Sequence, residues 1–126
     1  TVGMGHLSQE QERVYHTVLS AQMAAIEKAA PGVVCSEVDR AARDIIDQDY
    51  PGTFGHSTGH GVGVEIHEWP NFAPNCKEVL RPGMVVTAEP GIYLPGKFGV
   101  RIEDMIAITE DGCENLTASD KSLLIL

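Results

Sequence analysis

Three of the five histidines, His56, His60 and His67, fall in one short stretch that also holds Gly55, Gly59, Gly61 and Gly63. Two carboxylates follow on the same pattern of chain. Glu89 ends the run Val85-Val86-Thr87-Ala88-Glu89, and Glu103 sits in Val100-Arg101-Ile102-Glu103-Asp104. A charge among apolar, β-branched residues is costly to bury unless something partners it. Imidazole mixed with carboxylate is a donor set that suits Mn, Co, Fe or Zn better than soft metals. Glycine lets the backbone approach a bound group closely. His56 and His60 have the H-x3-H spacing of a helical zinc pair, but the glycines argue against a helix here. They are therefore not read as a ligand pair on that ground.

Three readings compete for Glu89 and Glu103. Both can lie on a solvated sheet face. Arg101 can neutralise them in a structural network. Or they can be metal ligands together with a histidine. Strand parity sharpens the choice without closing it. Val85, Thr87 and Glu89 share one strand face. Arg101 and Glu103 share another, about 7 Å apart along the strand. Glu103 and Asp104 must point to opposite faces, so one of them is turned inward. His6 and His16 have no partners at useful spacing and read as surface residues. Cys76 has no nearby base, Ser57 is not in a G-x-S-x-G elbow, and nothing selects Asp104 for a Ser-His-Asp triad.

The elements that position these residues change character along the chain. Residues 7–30 read as a helix, with Ser8 as N-cap, Gln11 as its capping-box partner and Glu10 and Glu12 favourably placed in the first turn. Val14, Val18, Ala21, Ala25 and Ala29 repeat at helical spacing, and Pro31-Gly32 stops the run. Residues 35–50 read as a second helix, with Ser36 as N-cap and Val38, Ala41, Ala42, Ile45 and Ile46 on its apolar face. From Thr53 onward strands are expected. Residues 59–68 read as irregular extended chain and 70–74 as a loop. Strands are expected over 84–89, briefly over 92–94, then over 100–109, with 113–116 pairing back as a hairpin. A short strand over 122–126 ends the chain. The fold class is α+β, in one domain spanning 1–126.

Composition narrows the partners. The chain has 126 residues, 43% hydrophobic and 21% charged, with a formal net charge of -9. That balance argues against nucleic acid and against an anionic membrane surface. No run approaches the length of a membrane span. The three cysteines are odd in number and scattered, so a reducing cytoplasm is expected rather than a disulfide framework.

Three ordered motifs now stand together: His56-Ser-Thr-Gly-His60-Gly-Val-Gly-Val-Glu-Ile-His67-Glu68, Thr87-Ala-Glu89-Pro-Gly91-Ile-Tyr93 and Val100-Arg101-Ile-Glu103-Asp104. They resemble the C-terminal half of the prolidase and aminopeptidase P branch of the pita-bread metallopeptidases. The resemblance covers essentially the whole chain. It implies a curved antiparallel sheet around a dinuclear centre held by two Asp, one His and two Glu. On the matching positions it implies metal ligation by His60, Glu89 and Glu103, with Glu103 bridging two divalent ions (Mn, Co or Zn). Glu89 is also implied in proton handling. His67 would stabilise the tetrahedral intermediate, His56 would lie near substrate, and Arg101 would orient the ligand shell. The implied activity is hydrolysis of Xaa-Pro bonds in dipeptides or short peptides by a metal-bridging hydroxide. Methionine aminopeptidase and creatinase are related activities, and a metal-free binding module on the same fold is the alternative from another class.

The resemblance also implies what is missing. The two Asp ligands should lie upstream, and the chain opens at Thr1-Val2-Gly3 without Met. Asp39, Asp44, Asp47 and Asp49 lie on the second predicted helix, in the wrong context to replace them. The expectation is a catalytic half-domain that binds metal weakly, shows little or no peptidase activity alone, and self-associates through uncovered strand edges and apolar surface.

Overall fold

The computed structural model describes all 126 residues. Two helices lead, α1 (Gln9–Lys28) and α2 (Cys35–Asp49), preceded by the two-residue strand β1 (Val2–Gly3). Eight strands follow: β2 (Gly59–Gly61), β3 (Glu68–Phe72), β4 (Val85–Ala88), β5 (Gly91–Leu94), β6 (Phe98–Arg101), β7 (Asp104–Ile108), β8 (Cys113–Asn115) and β9 (Leu124–Ile125). This is the expected α+β order.

α1 starts as the sequence predicts. The Ser8 hydroxyl accepts from the Gln11 N–H, and the Gln11 side chain accepts from the Ser8 N–H, closing a capping box. α2 starts differently. Its N-cap is Val34, with no side-chain cap, rather than Ser36. The N–H groups of Cys35 and Ser36 are instead taken by the carbonyls of Glu78 and Cys76, so a neighbouring segment does what a cap would do. Cys76 thereby joins the helix start, with its thiol buried.

The main sheet has five strands in the order β3-β2-β4-β7-β8, all antiparallel neighbours. Where an irregular stretch and a loop were expected, β2 and β3 pair, with a register shift between His60 and Gly61. Pro70 is tolerated inside β3 because that strand is the sheet edge and its missing N–H faces no partner. The helices cover one face of the sheet. Val14, Val18, Val38, Ile46, Phe72, Val86, Ile92 and Ile106 meet in a single core. β1 and β9 form a separate two-stranded parallel pair.

One departure from the expected strands decides the site. Residues 100–109 are not one strand. β6 ends at Arg101, Ile102 and Glu103 are outside regular structure, and β7 begins at Asp104. The paired strand run breaks at the same level, between Ala88 of β4 and Gly91 of β5. The registers agree, with Ala88 opposite Asp104 in the main sheet and Gly91 opposite Arg101 in the β5–β6 hairpin. Pro90 has no N–H to offer a ladder, so the regular ladder is interrupted there and both strands bend together. Glu89 and Glu103 occupy the two sides of that bend.

Candidate metal centre

His60 and Glu89 are brought together by a close backbone approach. A Cβ added at Gly59 would overlap the Thr87 carbonyl oxygen, so only glycine lets β2 lie this tightly on β4. The His60 N–H then donates to Thr87 Oγ1 at 3.0 Å, and the Thr87 hydroxyl donates to Glu89 Oε1 at 2.9 Å. The Glu89 N–H donates to the Thr58 carbonyl at 2.6 Å. Glu89 is 9% exposed, so its carboxylate is largely shielded from water and takes the Thr87 hydroxyl on Oε1.

The His60 ring completes the pair. Its Nδ1 lies 2.9 Å from the Gly61 carbonyl, an acceptor only, so Nδ1 carries a proton and donates. In the neutral imidazole, Nε2 then presents a lone pair. That lone pair faces Glu89 Oε1 at 3.0 Å. Two acceptors at that distance repel unless a cation lies between them. Either a proton makes an imidazolium ion pair, or a metal ion takes both lone pairs. Metal–ligand distances of about 2.1 Å would let one ion reach both atoms. The donor pair therefore fits a shared borderline cation.

The rest of the expected site is arranged around this pair. The His67 ring lies 4.4 Å from the His60 ring, tilted by 52°, and is exposed. Arg101 Nη1 lies 3.7 Å from Glu89 Oε2. Arg101 Nε donates to Tyr93 Oη at 2.7 Å, and Tyr93 Oη lies 2.8 Å from His56 Nε2. His56 Nδ1 donates to the Ser57 carbonyl at 2.8 Å. A directed chain thus runs Arg101 to Tyr93 to His56. The hydrogen bond to Tyr93, then the nearby Glu89 and Glu103 charges, hold the Arg101 pKa above its ordinary value.

Glu103 stands apart. It is exposed and makes no hydrogen bond or ion pair, although its charge reaches Arg101. The inward carboxylate of the adjacent pair is Asp104, which accepts from Gln22 Nε2 and Asn115 Nδ2 at 2.8 Å each and pairs with Lys121 at 2.6 Å. No group of three or more His, Cys, Asp or Glu is arranged to hold a metal ion. His60 and Glu89 are a two-donor site, and Glu103 is presented on the same bend without closing it.

Strand parity puts Thr87 on the Glu89 face, and the link it makes between His60 and Glu89 depends on tertiary pairing. Asp39 lies on α2. It is buried, and its Oδ1 accepts from the Thr58 N–H at 3.2 Å and the Thr58 hydroxyl at 2.8 Å. Arg43 grips both Asp39 oxygens at 2.9 Å and donates to the carbonyls of Phe54 at 2.7 Å and His56 at 2.8 Å. The Asp39 hydrogen bonds raise the Arg43 pKa against the opposing effect of burial. The i, i+4 opposite-charge spacing was a visible signal for that clamp, but its second pair of acceptors lies on a distant segment.

The chain is similar to known proteins in sequence and in fold. The model of metallopeptidase family M24 matches residues 1–110. An Xaa-Pro dipeptidase of Pyrococcus furiosus is 48% identical over 125 residues, 98% of this chain and 36% of that protein. The structure of an Xaa-Pro dipeptidase from Bacillus anthracis superposes with a TM-score of 0.96 at 47% identity, covering 99% of this chain and 36% of that one. That of an X-Pro aminopeptidase from Thermotoga maritima gives 0.94 at 42% identity, with 99% and 36% covered. This chain spans about a third of the length of these relatives. The resemblance read from the three motifs, and the half-pita-bread α+β fold it implied, are borne out. The chain belongs to metallopeptidase family M24.

Proposed function

We propose that this chain supplies the C-terminal half of the catalytic domain of a metal-dependent peptidase that hydrolyses Xaa-Pro bonds. The observation that carries the metal reading is His60 Nε2 facing Glu89 Oε1 at 3.0 Å. The names of the relatives, Xaa-Pro dipeptidase and X-Pro aminopeptidase, support the substrate class. His60 and Glu89 would hold one divalent ion, of Mn, Co or Zn type. Glu103, exposed at the bend, would reach a second ion once donors from outside this chain complete the cage. Bound divalent ions supply Lewis acidity and a nucleophile available at neutral pH. The chain's own residues do the rest. His67, exposed beside His60, would donate to a developing oxyanion. Glu89 accepts and returns the proton that the leaving nitrogen takes. His56, held by Tyr93, borders the substrate. Arg101 sets the orientation of Glu89. Proline's tertiary amide lacks the N–H that ordinary proteases bind, which makes a dedicated site chemically reasonable. Three free thiols fit a reducing compartment such as the cytoplasm.

The test is anomalous diffraction from crystals soaked in Mn²⁺ or Zn²⁺. The expected peak lies within bonding distance of His60 Nε2 and Glu89. The absence of a peak there, with ordered side chains, supports the metal-free binding module instead.

A further inference from the structure

We propose that Thr87 is a positioning residue for the metal pair, and that its single hydroxyl fixes the distance between the His60 and Glu89 donors before any ion arrives. The inference rests on the metal reading above and deepens it. Thr87 is almost fully buried, at 4% exposure. Its oxygen accepts from the His60 backbone N–H at 3.0 Å, and its one proton goes to Glu89 Oε1 at 2.9 Å. The same Oε1 faces His60 Nε2 at 3.0 Å. One atom therefore references the backbone of one donor and the side chain of the other.

The hydroxyl direction is itself fixed. Thr87 lies in β4 paired opposite Met105 of β7, and β2 presses on its carbonyl at Gly59. A β-branched side chain in a strand has little freedom at χ1. The hydrogen bond from Thr87 holds one lone pair of Oε1 and leaves the other directed at His60. Without the hydroxyl, Glu89 keeps Arg101 at 3.7 Å on its other oxygen. It would turn toward that charge, and the donor pair would open. Groups that orient ligands in this way carry about 10–100-fold in metal affinity.

The experiment titrates the 126-residue chain with Co²⁺ alone and follows the NMR shifts of the His60 ring. Three proteins are compared: wild type, Thr87→Val, which keeps the shape and removes the hydroxyl, and Thr87→Ser, which keeps the hydroxyl. The account expects Co²⁺ shifts centred on His60 in wild type, an affinity lower by about 10-fold or more in Thr87→Val, and recovery in Thr87→Ser to within a few-fold of wild type. Urea midpoints are measured alongside. A role in folding alone would move the midpoint and leave the affinity of the folded protein unchanged. Equal affinity in wild type and Thr87→Val overturns the inference and leaves the metal reading standing. Equal loss in Thr87→Val and Thr87→Ser also overturns it, because the hydroxyl would then not be the cause. Wild type without Co²⁺ shifts at His60 overturns the metal reading and the inference with it. If Thr87→Val does not fold, Thr87→Ala takes its place under the same criteria.

Discussion

At the scale of single residues, the site depends on an absence. Gly59 has no side chain, and that is why the His60 N–H can reach Thr87 Oγ1. Gly59→Ala would force backbone against backbone, where nothing flexible can give way. The expected cost is at or beyond the upper end of the ~1–3 kcal/mol typical of overpacking. It should appear as a lower urea midpoint together with loss of the His60–Thr87 hydrogen bond in amide exchange. A wild-type midpoint would contradict this reading of the close approach. Cys35 gives a second prediction. Burial first, and then neighbouring Cys76, raises its pKa from 9.0 to about 12. Between those values the folded chain keeps a proton that the unfolded chain has lost, so stability falls as pH rises. The fall should run from about pH 9 toward 12 and be shallower in Cys35→Ala, read by urea midpoints at stepped pH. Identical slopes in the two proteins would remove Cys35 as the cause.

At the scale of elements, α2 does more than cover the sheet. Its Asp39–Arg43 pair reaches across to Phe54, His56 and Thr58 and sets the course of the chain into the site. Arg43→Met would leave the Asp39 carboxylate buried with the Thr58 donors alone. Breaking a buried ion pair from one side costs ~3–5 kcal/mol. Arg43→Lys should be only a partial substitute, because one ammonium cannot match a fork that meets Asp39 and two carbonyls. Chemical denaturation of both variants checks the order. Equal stability in Arg43→Met and wild type would reduce the clamp to a surface contact. This is also where the limits of the sequence lie. The helices, the Ser8 cap and the hairpin that pairs 113–116 back were legible because their signals are local. The bend at Glu89 and Glu103 was not, because 100–109 reads as one continuous strand and only pairing with the Pro90 level breaks it. Likewise parity showed that Glu103 and Asp104 diverge, but only the tertiary partners Gln22, Asn115 and Lys121 show that Asp104 is the inward one. The three motifs were legible in order and identity. Their mutual distances were not.

At the scale of the whole molecule, Glu89 is buried and His60 partly so. His67 and Glu103 are exposed, and Val64, Ile66 and Trp69 nearby in sequence are 101%, 73% and 65% exposed. Exposed apolar side chains of this size in one segment mark an interaction surface. The chain is expected to self-associate, and sedimentation should show species heavier than a monomer. A single monomeric boundary across concentration would oppose that. Under the proposed function, this chain holds one side of a two-sided site: a prearranged His60–Glu89 pair, Glu103 on the bend, and no further donors of its own. Metal content measured together with hydrolysis of an Xaa-Pro dipeptide by the 126-residue chain tests it most directly. The account predicts weak, substoichiometric binding of Mn²⁺ or Co²⁺, lost in His60→Ala, with little or no turnover. Two tightly bound ions per chain and robust hydrolysis would contradict it.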